Sequence, residues 1–121
     1  MASLALVAAT LLLDPGAGDP LYSATASTLV EGHEVIMIEA AFAAGQQIPL
    51  HSHPGEEIVH ILTGSIALIR EGHEDLTMDA GESIAIAKDL PHRASAGDEG
   101  ATAMIVRIHP IGEPLTVAIE D

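Results

Sequence analysis

The residues with the clearest chemical potential are two histidines and an acid in one short stretch, His51, His53 and Glu57. Side chains two apart on a β-strand share a face and lie only ~7 Å apart, so both imidazoles can reach one ion if that face looks into a barrel. Pro54-Gly55 then bends the chain, and Glu57 can bring a carboxylate to the same point. Imidazole and carboxylate together suit divalent transition metals. The stretch therefore predicts part of a metal site.

Two glycines, Gly45 and Gly64, frame these candidate ligands. The full pattern, Gly45-x5-His51-x-His53-x3-Glu57-x6-Gly64, resembles the first motif of the cupin superfamily at every defined position. The resemblance covers most of residues 35 to 110. It implies a double-stranded β-helix, a small jelly-roll barrel built from two packed antiparallel sheets.

A later stretch, from Gly81 to Ala96, is similar to the second motif of the same superfamily. Gly81 and His92 occupy the expected places, and Pro91 stands just before the histidine. Three positions differ from the family's Pro, Gly and Asn, namely Ala87, Asp89 and Ala96. The missing Pro and Gly affect the expected turn geometry rather than the position of the ligand.

The resemblance implies that His51, His53, Glu57 and His92 are metal ligands. Three neutral imidazoles and one carboxylate suit Fe(II), Mn(II), Ni(II), Co(II), Cu(II) or Zn(II), whereas ions that require thiolate have no ligand because the chain lacks cysteine. Four protein ligands leave two positions of an octahedron for water, dioxygen or substrate. The alternative is a metal-free cupin in which the same four residues form a hydrogen-bonded polar cluster inside the barrel.

The elements that must position these residues are predicted to be short strands. After residue 20, glycine or proline stands at nearly every junction, and no ten-residue stretch shows sustained helical periodicity with caps. Two related tetrapeptides, residues 31–34 and 71–74, predict hairpin tips, with His33 and His73 as solvated turn residues. The predicted strands cover residues 21–30, 35–42, 57–62, 66–69, 83–86, 104–108 and 115–119. The fold class is therefore all-β.

The amino-terminal 20 residues are set apart from the cupin domain, which we assign to residues 21–121. Leu4 to Leu13 form an apolar run that is as long as a signal-peptide core but shorter than the ~20 residues of a membrane span. The first cation of the chain is Arg70, so a secretory signal would lack its positive leader, and we expect a cytoplasmic protein. We interpret the run as a strand at a subunit interface, followed by a linker rich in proline and glycine.

The composition excludes several kinds of partner. Four basic residues face eighteen acidic ones, giving a net charge of −14, whereas binding to nucleic acid or to an anionic membrane depends on basic residues. Tyr22 and Phe42 are the only aromatic residues, too few for a platform on which bases stack. We expect a small-molecule ligand, and neither nucleic acid nor a membrane as a partner.

Strand alternation predicts which side chains face the barrel interior. If Glu57 points inward, Val59 and Ile61 do so too, and His60 points to the opposite face. A pocket of aliphatic side chains with few cations favours a small, uncharged or metal-chelating ligand. On the last long strand, the expected inner set is Met104, Val106 and Ile108, and the expected outer set is Arg107 and His109.

Two classes of function fit these expectations. The resemblance implies a metalloenzyme that acts on a small organic molecule, with dioxygenase, isomerase, lyase and decarboxylase reactions all open. The alternative is a binding or sensing module that holds metal and ligand without turnover, which the lack of an obvious general acid or base beyond the ligands favours. A purely structural dimer fits the complete ligand set least well.

We expect a homodimer, because the apolar amino-terminal run and the one-sided strand pattern leave more hydrophobic surface than one small barrel can cover. Light scattering should return twice the mass of the 121-residue chain. A monomer would contradict this prediction.

Overall fold

The computed structural model describes residues 21–120, which form eight β-strands and no helix. The prediction of an all-β fold is confirmed. The interface strand expected within residues 1–20 lies outside the described residues. The strands are β1 (Leu21–Ala26), β2 (His33–Phe42), β3 (Gln47–Ser52), β4 (Glu56–Arg70), β5 (Leu76–Asp79), β6 (Ser83–Ile86), β7 (His92–Pro110) and β8 (Val117–Ala118).

Two long strands, β4 and β7, pair antiparallel along their length and take part in both layers of the fold. The later half of β7 pairs with β2 and with the first half of β4, which gives the strand order β1-β2-β7-β4-β6. The first half of β7 pairs with β3 and with the later half of β4, which gives the order β8-β3-β7-β4-β5. Two antiparallel layers that share two bent strands form the double-stranded β-helix implied by the sequence.

The bend of β4 explains why two separate strands, 57–62 and 66–69, were expected where the structure has one. The pairing of β4 with β7 shifts register on both sides of Gly64. Gly64 has φ +73°, and a Cβ added there would lie 2.0 Å from the carbonyl oxygen of Gly100. Only glycine fits this close approach of two backbones. The last glycine of the first motif is therefore required where the barrel turns its corner.

The core between the two layers is aliphatic. Alternate residues of β2 point inward, and the bulkiest side chains of the core that are fully buried are isoleucines from three strands. Ile61 belongs to this set, and Val59 packs against it, as their shared parity with Glu57 predicts. The largest fully buried side chains are Ile36, Ile38, Ile61 and Ile86.

The expected orientation of β7 was wrong. Arg107 and His109 are buried, whereas the three residues expected inside are only partly buried. Arg107 and His109 continue the alternate, inward-facing positions of this strand that begin with Ala101, Ala103 and Ile105, all of which are buried. Arg107 can point inward because it meets the carboxylate of Glu57, and His109 because its Nε2 bonds the carbonyl of Glu113 at 2.9 Å. The partly buried residues are Met104, Val106 and Ile108.

Both glycine-histidine tetrapeptides lie between neighbouring antiparallel strands, β1 and β2 in one case and β4 and β5 in the other. Gly32 and Gly72 both have φ +75°. His33 and His73 each place Nδ1 3.0 Å from the carbonyl oxygen two residues before, so the two turns repeat the same local hydrogen bond. The prediction of hairpin tips is confirmed.

The outer face of the first layer carries an apolar row. Met37, Val106 and Ile58 are cross-strand partners, and Met37 and Ile58 are 46% and 39% exposed. This row is compatible with the expected homodimer, which stays a prediction. Within residues 21–120, no helix has the length and apolar character needed to cross a membrane.

The two motif glycines provide a matched test of the barrel corner. We expect Gly45→Ala to cost about 1 kcal/mol, because residue 45 also has a positive φ but faces open space. Gly64→Ala should cost at least about 3 kcal/mol, because its methyl group collides with backbone that cannot move aside. Chemical denaturation of both variants measures the difference. Equal losses of unfolding free energy would show that the corner tolerates a side chain.

Candidate metal centre

The fold brings four sequence-predicted residues to one end of the barrel interior. His51 lies near the end of β3, Glu57 near the start of β4 and His92 at the start of β7, while His53 follows β3 directly. The strand register places His51 opposite His92. All four side chains are buried.

The three histidines form a compact group. One ring nitrogen from each of His51, His53 and His92 lies within 4.8 Å of the others. Nitrogens that bind one ion at ~2.1 Å lie ~3.0–3.4 Å apart in facial octahedral or tetrahedral geometry, so a pair at the upper limit would approach by roughly 1.5 Å around a metal. Of the seven histidines in the chain, all of which the structure describes, these three share a site, whereas His33, His60, His73 and His109 lie elsewhere.

Each histidine of the group is oriented by a backbone carbonyl. Nδ1 of His51 donates to the carbonyl of Pro49 at 2.7 Å, Nδ1 of His53 to that of Leu115 at 2.7 Å, and Nδ1 of His92 to that of Leu90 at 2.8 Å. A proton on Nδ1 leaves the lone pair on Nε2, the arrangement that metal-bound histidines adopt in proteins. Nε2 of His53 is buried and has no hydrogen-bond partner among the described residues. The donor set therefore fits a divalent ion.

Burial keeps His53 neutral. The pKa of His53 is lowered from 6.5 to about 4, because removal from water, together with the charge of Arg107, outweighs the opposing effect of Glu57. A neutral imidazole is the form that binds a metal. The ring is therefore ready to act as a ligand at pH 7.

Glu57 lies beside the three histidines but is not part of the group whose ligand atoms all lie within 4.8 Å of one another. Its Oε2 lies 3.3 Å from Nε2 of His53, and its Oε1 lies 3.7 Å from Nε2 of His92. Burial alone would raise the pKa of Glu57, but the guanidinium of Arg107 and the neighbouring imidazoles hold it well below 4.5. Glu57 is thus a carboxylate at the edge of the group.

Arg107 lies at the site, although strand alternation had been expected to point it outward. Its Nε donates to Oε2 of Glu57 at 2.8 Å, in register with that residue across β4 and β7. The sequence did hold a signal, because Ala101, Ala103 and Ile105 share the parity of Arg107 and form an equally apolar set.

The turn before His92 departs from the family pattern but keeps its geometry. Asp89 stands at the family's glycine and has φ 61°, the left-handed conformation that aspartate tolerates better than most residues. Its backbone N–H donates to the carbonyl of His53 at 2.8 Å. The turn is thus tied to the metal-ligand segment.

His60 lies away from the centre, as strand alternation predicts. Its Nδ1 is 2.5 Å from Oγ of Ser83 on the neighbouring strand β6. The side chain is partly buried and takes no part in the histidine group.

A small cavity opens beside the group. The space that the centre of a water molecule can occupy inside it measures about 60 Å³. The cavity therefore has room for a few water molecules or one small molecule. Its polar wall consists of His51, His92, Glu57 and Arg107. The remaining lining is apolar, formed by Phe42, Ile48, Val59, Ile66, Leu68, Met78, Ile86, Ala94, Ala103 and Ile105.

Comparison with known families decides the classification. Residues 38–108 match the cupin domain family. The chain belongs to the cupin family. Over 63 residues this cupin is 32% identical to the dimethylsulfoniopropionate lyase DddQ of Ruegeria pomeroyi, an alignment that covers 52% of this chain and 31% of that protein. This cupin therefore aligns with about a third of that curated relative.

Solved structures support the fold. The crystal structure of the DMSP lyase DddQ from Ruegeria pomeroyi DSS-3 superposes with a TM-score of 0.66 at 18% identity, covering 90% of this cupin and 75% of that chain. A recombinant oxalate oxidase in complex with glycolate superposes with a TM-score of 0.64 at 22% identity, covering 86% of this cupin and 56% of that chain. At such identities these likenesses concern the fold alone.

The histidine group can be tested by removing one of its rings. His53→Ala should lower bound metal at least tenfold, because it deletes a proposed ligand whose buried Nε2 has no hydrogen-bond partner among the described residues. His73→Ala is the matched control, since that ring bonds only its own turn. Elemental analysis of protein purified without chelators or a histidine tag gives the metal content. Equal metal in both variants would contradict the assignment.

Proposed function

We propose that this protein is a metal-dependent lyase acting on a small carboxylate inside the barrel. The observation that carries the proposal is the buried His51, His53 and His92 group, oriented by three carbonyls beside an apolar cavity. The similarity to a dimethylsulfoniopropionate lyase supports the reaction class. The metal identity remains among Fe, Mn, Ni, Zn, Co and Cu.

The chain's own residues have distinct tasks in this proposal. His51, His53, His92 and Glu57 hold the ion, with Glu57 supplying its oxygen from the edge of the group. A bound divalent ion supplies Lewis-acid polarisation of a substrate oxygen, which acidifies the adjacent C–H bond. The aliphatic walls exclude water and limit the substrate to a small molecule.

A second candidate is a module that binds metal and ligand without turnover. The specific observation in its favour is that the cavity lining contains no acid or base among the described residues besides His51, His92, Glu57 and Arg107. If the ion and the ion pair occupy all of these, no group remains to move a proton. The two candidates differ in whether the bound molecule is changed.

The test uses the metal-loaded protein and dimethylsulfoniopropionate, with other small β-substituted carboxylates as a panel. Elimination removes a proton from the α-carbon, which passes to solvent, and breaks the bond from the β-carbon to sulfur with its electron pair leaving on sulfur. Dimethyl sulfide, acrylate and one proton should therefore appear in equal amounts. Gas chromatography and NMR detect them. We expect turnover under nitrogen, because a lyase consumes no dioxygen, and its loss in His53→Ala but not in His73→Ala.

Two results would contradict the lyase proposal. Turnover that requires dioxygen would indicate a dioxygenase. Tight binding of panel members that are recovered unchanged, whichever of the six metals is loaded, would indicate the binding module.

A further inference from the structure

One buried arginine determines the charge of the candidate metal centre. The chain has only four basic residues, and Arg107 is 3% exposed beside the cavity. Its Nε donates to Oε2 of Glu57 at 2.8 Å, and the carboxylate side chain is 6% exposed. The two charges are therefore paired out of contact with bulk water.

The charge count of the centre follows from these contacts. The three imidazoles carry their protons on Nδ1, where each donates to a carbonyl, and are neutral as ligands. Glu57 contributes one negative charge and Arg107 one positive charge, so the protein groups sum to zero. The protein groups at the site would therefore leave the +2 charge of a bound divalent ion without any net negative charge to offset it.

The remaining cavity wall cannot supply the missing negative charge. It is aliphatic apart from Phe42, and Glu57 is its one carboxylate among the described residues. In such surroundings an uncompensated charge interacts strongly with a charged ligand, because little water screens the interaction.

We propose that Arg107 makes this centre select anionic ligands, small monocarboxylates above all, by neutralising Glu57. Arg107 acts through Glu57 and need not touch the ligand, so it is a positioning residue that sets specificity. This inference rests on the metal centre of the proposed function and identifies the charge class of its substrate. It also narrows the expectation of a small, uncharged or metal-chelating ligand to ligands that carry a negative charge.

The experiment measures anion binding to the Co(II)-loaded protein at pH 8, followed by visible absorption, with propanoate as the anion and imidazole as a neutral ligand. Arg107→Met removes the positive charge and should weaken propanoate at least tenfold while changing imidazole less than threefold. Arg107→Lys retains the charge and should bind propanoate within about threefold of the parent protein. Elemental analysis confirms that each variant holds cobalt.

A second pair of variants tests the same charge count without leaving a carboxylate unpaired. Glu57→Gln alone leaves the guanidinium uncompensated, and Glu57→Gln combined with Arg107→Met restores a sum of zero. Propanoate should bind at least tenfold more tightly to the single variant than to the double variant. This comparison holds even if Arg107→Met does not fold.

The outcomes separate this inference from the lyase proposal. If the parent protein and Arg107→Met bind propanoate equally well at full cobalt loading, the inference is overturned and the lyase proposal stands. If the propanoate affinities change as expected but no carboxylate is turned over, the inference is supported and the lyase proposal is contradicted. Failure of the parent protein to bind any of the six divalent metals, cobalt included, overturns both.

Discussion

Three hydrogen bonds from imidazole Nδ1 atoms to backbone carbonyls fix the chemistry of this protein. The accepting carbonyls belong to Pro49, Leu90 and Leu115, which come from three separate parts of the chain. Each bond sets both the orientation of a ring and the nitrogen that carries its proton. Because backbone atoms do this work, the arrangement depends on the fold and not on further side chains.

The two bent strands are what bring these parts together. β7 begins with His92 and later carries Arg107. A single strand therefore supplies one histidine of the group through its first half and the partner of Glu57 through its second. The inward parity changes between Ala96 and Ala101, across a segment containing Gly97 and Gly100. A strand that is regular from end to end could not place both residues inside the barrel.

The sequence did not predict this shift by one residue in the inward-facing positions of β7. The spacing of His51, His53 and Glu57 indicated the family, and His92 followed from the second motif. Arg107 was missed because the rule that apolar residues face inward compared it with Met104, Val106 and Ile108 alone. Strand alternation divides the residues of β7 into two sets but does not say which set faces inward. Here the inward set contains Arg107, whose guanidinium pairs with Glu57 instead of being buried alone.

The buried ion pair is better explained by the metal centre than by stability. Two charges removed from water lose several kcal/mol of hydration each, and well-packed apolar residues often replace such pairs at no cost in stability. The surrounding cavity wall is aliphatic, so an apolar pair would fit there. A carboxylate beside His53 and His92 is useful only if something binds at their Nε2 atoms, and it must stay charged to be useful. Arg107 meets that condition. The one buried arginine of the described residues therefore lies at the same site as His51, His53 and His92.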